Sequence, residues 1–315
     1  MLRRELLLGL ATLAGGCGPR RLSPPPAAPR VVSAAELIPP DLDVIVRMDL
    51  ARMKTALGGL TAQALSREVL SREVLSRAAP KDSEDADPFV VDSLLAADVV
   101  YLGYRPSPLL LPLDRVLALQ GHFPPLTKAP PGFSGLVDLG ADVRYWDRRP
   151  ETEPQRSATF RIYAVGERVR AFVSEAELDA VERSLSGLAG PPPLAAPEEG
   201  ALSLAARPRL LGKLAGSTLR QLLEDSKTLE LVVDLEADTA SLRVALVTGS
   251  PEQASALASA GQRALERALG ERAGHTELRA VAERVLLSIK LSRQELAPLV
   301  ACLGAPSASA GECSW

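Results

Sequence analysis

The side chains of this 315-residue chain with the widest chemical reach are three cysteines and two histidines. A thiolate attacks carbonyls, ligates metals or forms disulfides, and an imidazole moves protons near neutral pH. They fall at Cys17, Cys302, Cys313, His122 and His275, with no Cys-x-x-Cys among them, so no metal site is predicted. A Ser-His-Asp triad needs no proximity in sequence, but only His122 or His275 could serve it. His122 ends an expected strand beside Phe123 and Pro124, and His275 follows Gly274 in a turn; both read as surface loop residues. Gly132-Phe133-Ser134-Gly135 lacks the spacing of a nucleophile elbow. Gly212-Lys213 precedes Leu214 rather than Ser or Thr and lacks the upstream glycine of a phosphate loop. There is no His-Glu-x-x-His and no Gly-x-Gly-x-x-Gly. Carboxylates are plentiful but interspersed with basic residues along expected helices, the pattern of a solvated face. The chain therefore reads as a non-enzyme with no catalytic residue, cofactor site or metal site.

Cys17 is different, because of what precedes it. Arg3 and Arg4 give a positive n-region, and Leu6, Leu7, Leu8, Leu10, Ala11, Leu13 and Ala14 give a short apolar run. Gly15 and Gly16 lead into the cysteine. That order is an export signal with a small-residue cleavage site. The apolar run is about half of the ~20 residues a membrane-spanning helix needs. With Cys first after the cut, residues 1–17 resemble a bacterial lipoprotein signal. The resemblance implies that Cys17 is lipidated, with palmitate among the acyl groups, and becomes the mature N-terminus. Leu13-Ala14-Gly15-Gly16-Cys17 carries one glycine more than the usual Leu-Ala-Gly-Cys box. Arg3-Arg4-Glu5-Leu6-Leu7 also looks like a twin-arginine signal, which exports folded proteins, so Sec and twin-arginine export both stay open.

Pro19, Pro24, Pro25, Pro26 and Pro29, mixed with Arg20, Arg21 and Arg30, predict an extended tether over 17–35. At about 3 Å per residue it would hold the globular part some tens of ångströms from the lipid. In enteric bacteria an Asp after the lipidated cysteine resembles an inner-membrane retention signal. Gly18 stands here, which leans to an outer-membrane anchor facing the periplasm or cell surface.

Composition narrows the classes further. The formal net charge is −3, and removal of Arg3, Arg4 and Glu5 with the signal makes the mature chain one unit more negative. Nucleic acid needs a basic face, so it is excluded as a partner. Aromatic residues make up 3%, too few for the stacking platforms that grip sugars or single-stranded nucleic acid. Hydrophobic residues make up 46%, enough for a sizeable core. With Cys17 lipidated, Cys302 and Cys313 remain as an even pair in an exported protein, a disulfide candidate. Its short loop would be worth about 2–3 kcal/mol and would pin the 304–315 tail to the preceding helix.

The positioning elements follow from periodicity. Thr159–Val165 and Arg168–Val173 alternate around Gly166-Glu167, a hairpin signal. Leu229–Leu235 pairs in the same way with Ser241–Val247, and Glu277–Val281 with Val285–Leu291. Each pair is followed by a capping box: Ser174 to Glu177, Ser250 to Gln253, and Ser292 to Glu295. Leu178, Val181 and Leu185 follow the first serine at helical spacing, as Leu296, Leu299 and Leu303 follow the third. Ala254, Leu257 and Gly261 take the same offsets in the middle copy.

Nearer the N-terminus, Asp43–Met48 reads as a buried strand, and Asp49 as the cap of a helix carrying Met53, Ala56 and Leu60. The phrase from Leu37 to Leu50, with its Pro-x-Asp-x-Asp, is similar to the opening of some uncharacterised exported bacterial families, which implies no activity. Val99–Tyr104 and Arg115–Gly121 read as strands, and 124–135 as loop. Leu65 to Arg77 is a near-repeat of Leu-Ser-Arg-Glu-Val, read as a solvated helix with Glu68–Arg72 and Glu73–Arg77 pairs. The acidic run Asp82–Asp87 reads as loop.

The expected fold is α+β: an antiparallel sheet with helices packed on one face, in two related halves, 36–190 and 198–303, the second reading strand (Ala201–Ala206), helix to about Asp225, strand, strand, helix, strand, the ferredoxin-like order. The expected function is that of a membrane-anchored cell-envelope lipoprotein that binds or scaffolds another envelope component without catalysis. A carrier of hydrophobic, lipid-like cargo is the alternative, and a hydrolase without a recognisable motif is third.

Overall fold

Runs of alternating or continuous apolar residues bounded by Gly, Pro and Asp dominate this chain, and they form one 12-stranded sheet in the computed structural model. The described residues are 33–57, 88–106, 112–149, 159–188, 194–208, 226–236, 239–269 and 276–292. In chain order the first half runs β1 (Val44–Asp49), α1 (Leu50–Leu57), α2 (Pro88–Leu95), β2 (Ala97–Pro106), β3 (Pro112–Gly121), β4 (Phe133–Gly140), β5 (Val143–Arg148), β6 (Arg161–Val165), β7 (Val169–Val173) and α3 (Leu178–Leu185). Then follow β8 (Leu202–Ala206), β9 (Thr228–Leu235), β10 (Thr239–Val247), α4 (Pro251–Leu269), β11 (Thr276–Val281) and β12 (Arg284–Ser292). Short 3₁₀ turns sit at Ala35–Leu37 and Glu175–Glu177.

The strand order is β11-β12-β10-β9-β8-β1-β2-β3-β7-β6-β5-β4, and every neighbouring pair is antiparallel. The β1–β8 pair joins the expected halves, with Val46 opposite Leu204, so the sheet runs unbroken from one half into the other. One transverse row shows how apolar the sheet is. It crosses Ile162, Phe172, Leu117, Leu102 and Val46, then Leu204, Leu231, Val244, Leu287 and Leu278.

Helices cover both faces, which corrects the one-face expectation. Successive strand residues point to opposite sides. Leu117 and Leu119 pack with Val90 and Leu94 of α2 and Leu50 of α1. Val116 and Ala118, between them in sequence, pack with Val181 and Leu185 of α3 on the other side. The 3₁₀ turn at Ala35–Leu37 joins α3 there through Ala34 and Leu37. α4 returns to the first face, where Ala254 and Leu257 meet Leu246 and Val285. A sheet this wide, apolar on both sides in its first half, needs cover on both sides.

Local chemistry sets the helix starts, with one correction. The Asp49 carboxylate accepts from the Arg52 amide at 2.9 Å and caps α1 as expected. Before α4, the Ser250 hydroxyl accepts from the Gln253 amide at 3.3 Å, and Gln253 reaches back to the Gly249 amide at 2.9 Å. Pro251 opens that helix, where its missing donor costs nothing. The Ser174 box does not form. Its hydroxyl accepts from the Arg115 amide of β3 instead, and Glu177 turns to Arg105. Tertiary partners outbid the local cap, and a 3₁₀ turn precedes α3.

The β4–β5 hairpin is a second correction. The sequence predicts loop over 124–135 and no strand from there to Thr159, whereas β4 begins at Phe133. Register shifts at Ser134/Val137 and Asp138/Gly140 break the two-residue alternation that would have revealed it.

Several expectations lie outside the described residues: the signal and Cys17, most of the tether, the Leu65–Arg77 repeat, Asp82–Asp87, the helix ending near Asp225, His275, the third capping box, and Cys302, Cys313 and the tail. Among the described residues no helix is long and apolar enough to cross a membrane.

Candidate functional site

The β4–β5 hairpin closes one edge of the sheet, and its base and tip are built differently. At the base, Phe133 and Trp146 are each 1% exposed and belong to the core beneath α2. The Arg148 guanidinium lies 5.4 Å from the Phe133 ring centroid, and Arg149 donates to the Phe133 carbonyl at 3.2 Å. Arg161 of β6 pairs with Asp147 of β5 and with Glu182 of α3, and stacks 4.0 Å over the Tyr145 ring. Burial opposes the Arg161 charge, but its bonds to Asp147 and Tyr163 outweigh that and hold its pKa above the usual value. Tyr163 moves upward too, mainly through burial.

At the tip, every residue from Gly135 to Asp142 is exposed. Leu136 is 54% exposed, Val137 36% and Leu139 37%. Val137 faces Tyr145 and Asp138 faces Arg144 across the ladder, so these apolar side chains occupy both faces of the finger. Gly135 and Gly140 hold positive φ (69° and 81°), as do Ala141 and Asp142 in the turn. The Asp138 carboxylate accepts from the Gly140 amide at 2.8 Å and from Arg144 at 3.3 Å. The first of these bonds, then the second, hold its pKa below the usual value. The irregular ladder spoils β4 as a template for an incoming strand. What the edge offers is apolar side chains on a rigid root.

A second feature is the sheet face between α1 and α4. α1 lies over β2 with a margin on β9, and α4 lies over β11 and β12. Between them Leu204, Leu231, Val233, Leu242 and Val244 are half-buried and join none of the three buried clusters.

Chemistry-bearing groups are elsewhere and engaged in structure. Glu177, 2% exposed, takes Arg105 Nε at 2.9 Å, and Arg105 Nη2 also reaches Asp41 at 2.7 Å. Burial pushes the Glu177 pKa up, and Arg105 offsets part of that. For Asp41 burial is outweighed by Arg105, and the net direction is down. Arg170, 5% exposed, sits between the rings of Phe89 and Phe123 and donates to Ser93 Oγ and the Pro124 carbonyl. His122 follows β3, exposed, as expected. Among the described residues no cluster of three His, Cys, Asp or Glu could hold a metal ion.

No family model matches the chain, and no curated protein matches it. Solved structures do. Crystal form I of TP0453 superimposes with a TM-score of 0.50 at 15% identity, covering 86% of this chain and 98% of that one. The chain shares the fold of TP0453. Crystal form IV of the same protein matches at a TM-score of 0.49 and 11% identity, over 86% and 97% of the two chains. At these identities the likeness is one of fold alone.

The sequence reading missed this finger. The one local signal is Gly140-Ala141-Asp142, a turn between Val137-Asp138-Leu139 and Val143-Arg144-Tyr145, and the runs beside it are too short to mark strands without it.

Proposed function

We propose that this chain is a membrane-anchored envelope lipoprotein that docks another envelope protein without catalysis, gripping it through the apolar β4–β5 finger. The observation that carries the reading is the pairing of a rigid root with a bare tip. Trp146 and Phe133 are buried while Leu136, Val137 and Leu139 stand in solvent. Exposed aliphatics at a fixed edge lower the ordering cost of association. The partner that suits them presents an apolar pocket rather than a strand edge. Lipidated Cys17 and the tether would bring the finger to the envelope.

The test compares the anchored chain with its Leu136→Ser/Leu139→Ser variant, each purified from source membranes after reversible crosslinking. A protein of constant mass, held by the parent and lost by the variant, supports the reading. Equal recovery by both contradicts it. Release of a Cys17→Ser variant from the membrane tests the anchor.

The half-buried aliphatic face between α1 and α4 favours a second reading, a carrier of hydrophobic cargo. Native mass spectrometry of the gently purified mature domain tests it. Added mass of a lipid supports carriage, and bare protein opposes it.

The two halves also fit a duplication. Outward from the β1–β8 pair the sheet reads β1-β2-β3-β7-β6 on one side and β8-β9-β10-β12-β11 on the other. The ferredoxin-like order would be the run from β8 through α4 to β11, with β12 as an addition and its expected first helix, to about Asp225, outside the described residues. Among the described residues the β4–β5 finger has no counterpart in the second half, and a docking function added to a repeated unit accounts for its place.

A further inference from the structure

The two ends of the described sheet differ in kind. β4 meets β5 through two register shifts, whereas β11 meets β12 in unbroken register, from Thr276 opposite Ile289 to Val281 opposite Arg284. Solvent reaches β11 from both faces of the sheet. Glu277, Arg279 and Val281 are exposed on one face and Ala280 on the other. In β10, which is paired along both of its sides, only Thr239 and Arg243 are exposed. A straight, open edge is a template for another strand.

The sequence of β11 is complementary to itself. The amides and carbonyls that a strand turns outward belong to alternate residues. Two copies of one strand, paired antiparallel, must therefore place the two-fold axis at a residue and never between two. An axis at Glu277 sets glutamate against glutamate, and an axis at Arg279 sets arginine against arginine; both repel. An axis at Leu278 sets Leu278 against Leu278, each Glu277 against an Arg279, and each Thr276 against an Ala280. Within one chain Arg279 Nη1 lies 3.5 Å from Glu277 Oε1, with the side chains 61% and 66% exposed, so solvent screens that contact and exchanging it costs little.

We propose that β11 pairs antiparallel with β11 of a second copy of this chain, about a two-fold axis at Leu278, to make one continuous sheet. Such a contact is isologous and closes as a dimer. Leu278 packs on the α4 side of the sheet, with Leu257 and Val285. The axis stands normal to the sheet, so both copies of α4 lie on the same face. Val281 falls beyond the last of these pairs. The contact is independent of the docking finger, which lies at the other end of the sheet.

The test uses the full anchored chain in its own membranes, with Cys302→Ser, Cys313→Ser and Leu278→Cys, under mild oxidation. Directly opposed residues have Cα atoms about 4.5–5.5 Å apart, within disulfide reach. A disulfide-linked species of two chain masses is expected. Added Arg279→Glu or added Glu277→Arg each sets two like-charge pairs across the axis and should lower its yield about 10-fold. Co-expression of those two variants, one carrying a size tag, should restore a mixed dimer, because every glutamate then faces an arginine. Misfolding of either variant would not be reversed by mixing. Absence of the linked species in the parent overturns the proposal. So does a yield that neither charge reversal changes, which marks random collision, or a loss that co-expression does not restore.

Discussion

Replacing Arg105 by Met should expose how much of the α3 side of the sheet depends on one buried carboxyl. Glu177 is 2% exposed and accepts from Arg105 at 2.9 Å, whereas the Arg105 side chain is 33% exposed. Breaking a buried pair by removing one partner costs about 3–5 kcal/mol. Solvent around the arginine screens part of that, so about 2 kcal/mol is expected for Arg105→Met at pH 7.5. The pH dependence has a definite sign. Burial already raises the Glu177 pKa in the folded chain, and without Arg105 it rises further. A carboxyl raised in the fold contributes stability that is complete below its unfolded pKa and is lost as pH rises through the folded value. The loss should therefore be largest at neutral pH and shrink toward pH 4.5. The part due to the Asp41 bond stays, because Arg105 holds that carboxyl below its usual pKa and it is still ionised there. Arg105→Met with Glu177→Gln should recover most of the neutral-pH loss, since no charge is then left buried. Urea unfolding of the parent, the single variant and the double variant at pH 4.5 and 7.5 reads these differences. A loss from Arg105→Met that is equal at both pH values, or unrelieved by Glu177→Gln, would refute the reasoning.

Other substitutions separate structure from surface. Gly200→Ala should cost about 3 kcal/mol by urea unfolding; φ there is +80°, and a Cβ would lie 2.6 Å from Val232 Cγ1 and 2.8 Å from the Val233 carbonyl. Trp146→Ala, at a side chain 1% exposed, should cost about 3–5 kcal/mol. Leu136→Ser with Leu139→Ser should shift stability by no more than about 0.5 kcal/mol per site, which makes it a clean probe of docking. Asp49→Ala should cost about 2 kcal/mol, because it removes both the α1 cap and the carboxylate paired at 3.1 Å with Arg47, which is 8% exposed, and Asp49→Asn less, as the amide oxygen still accepts from Arg52. Thermal unfolding followed by circular dichroism checks both.

Strands that alternate cleanly were legible in the sequence. β6, β7, β9, β10, β11 and β12 fall within a few residues of their predicted bounds, because each sits in a meander whose turn residues mark its ends. The Asp49 and Ser250 caps were legible for the same local reason. Ser174 was not, because Arg115 and Arg105 are distant in sequence and compete for the groups a local box would use. Helices on both faces were not legible either. β3 carries a continuous apolar run from Val116 to Leu119, which periodicity alone cannot assign to two cores. The finger escaped because its glycine bulges shift the register, and exposed aliphatics resemble ordinary strand residues until their burial is known.

The central claim is that the finger docks an envelope protein. The most direct measurement places a photo-crosslinking residue at Val137 in the anchored, full-length chain within its own cells, with Val281, also exposed but on the opposite sheet edge, as the control position. The account predicts one discrete protein adduct at Val137, absent at Val281 and abolished by Leu136→Ser with Leu139→Ser. No adduct at Val137, or the same adducts at both positions, would contradict it.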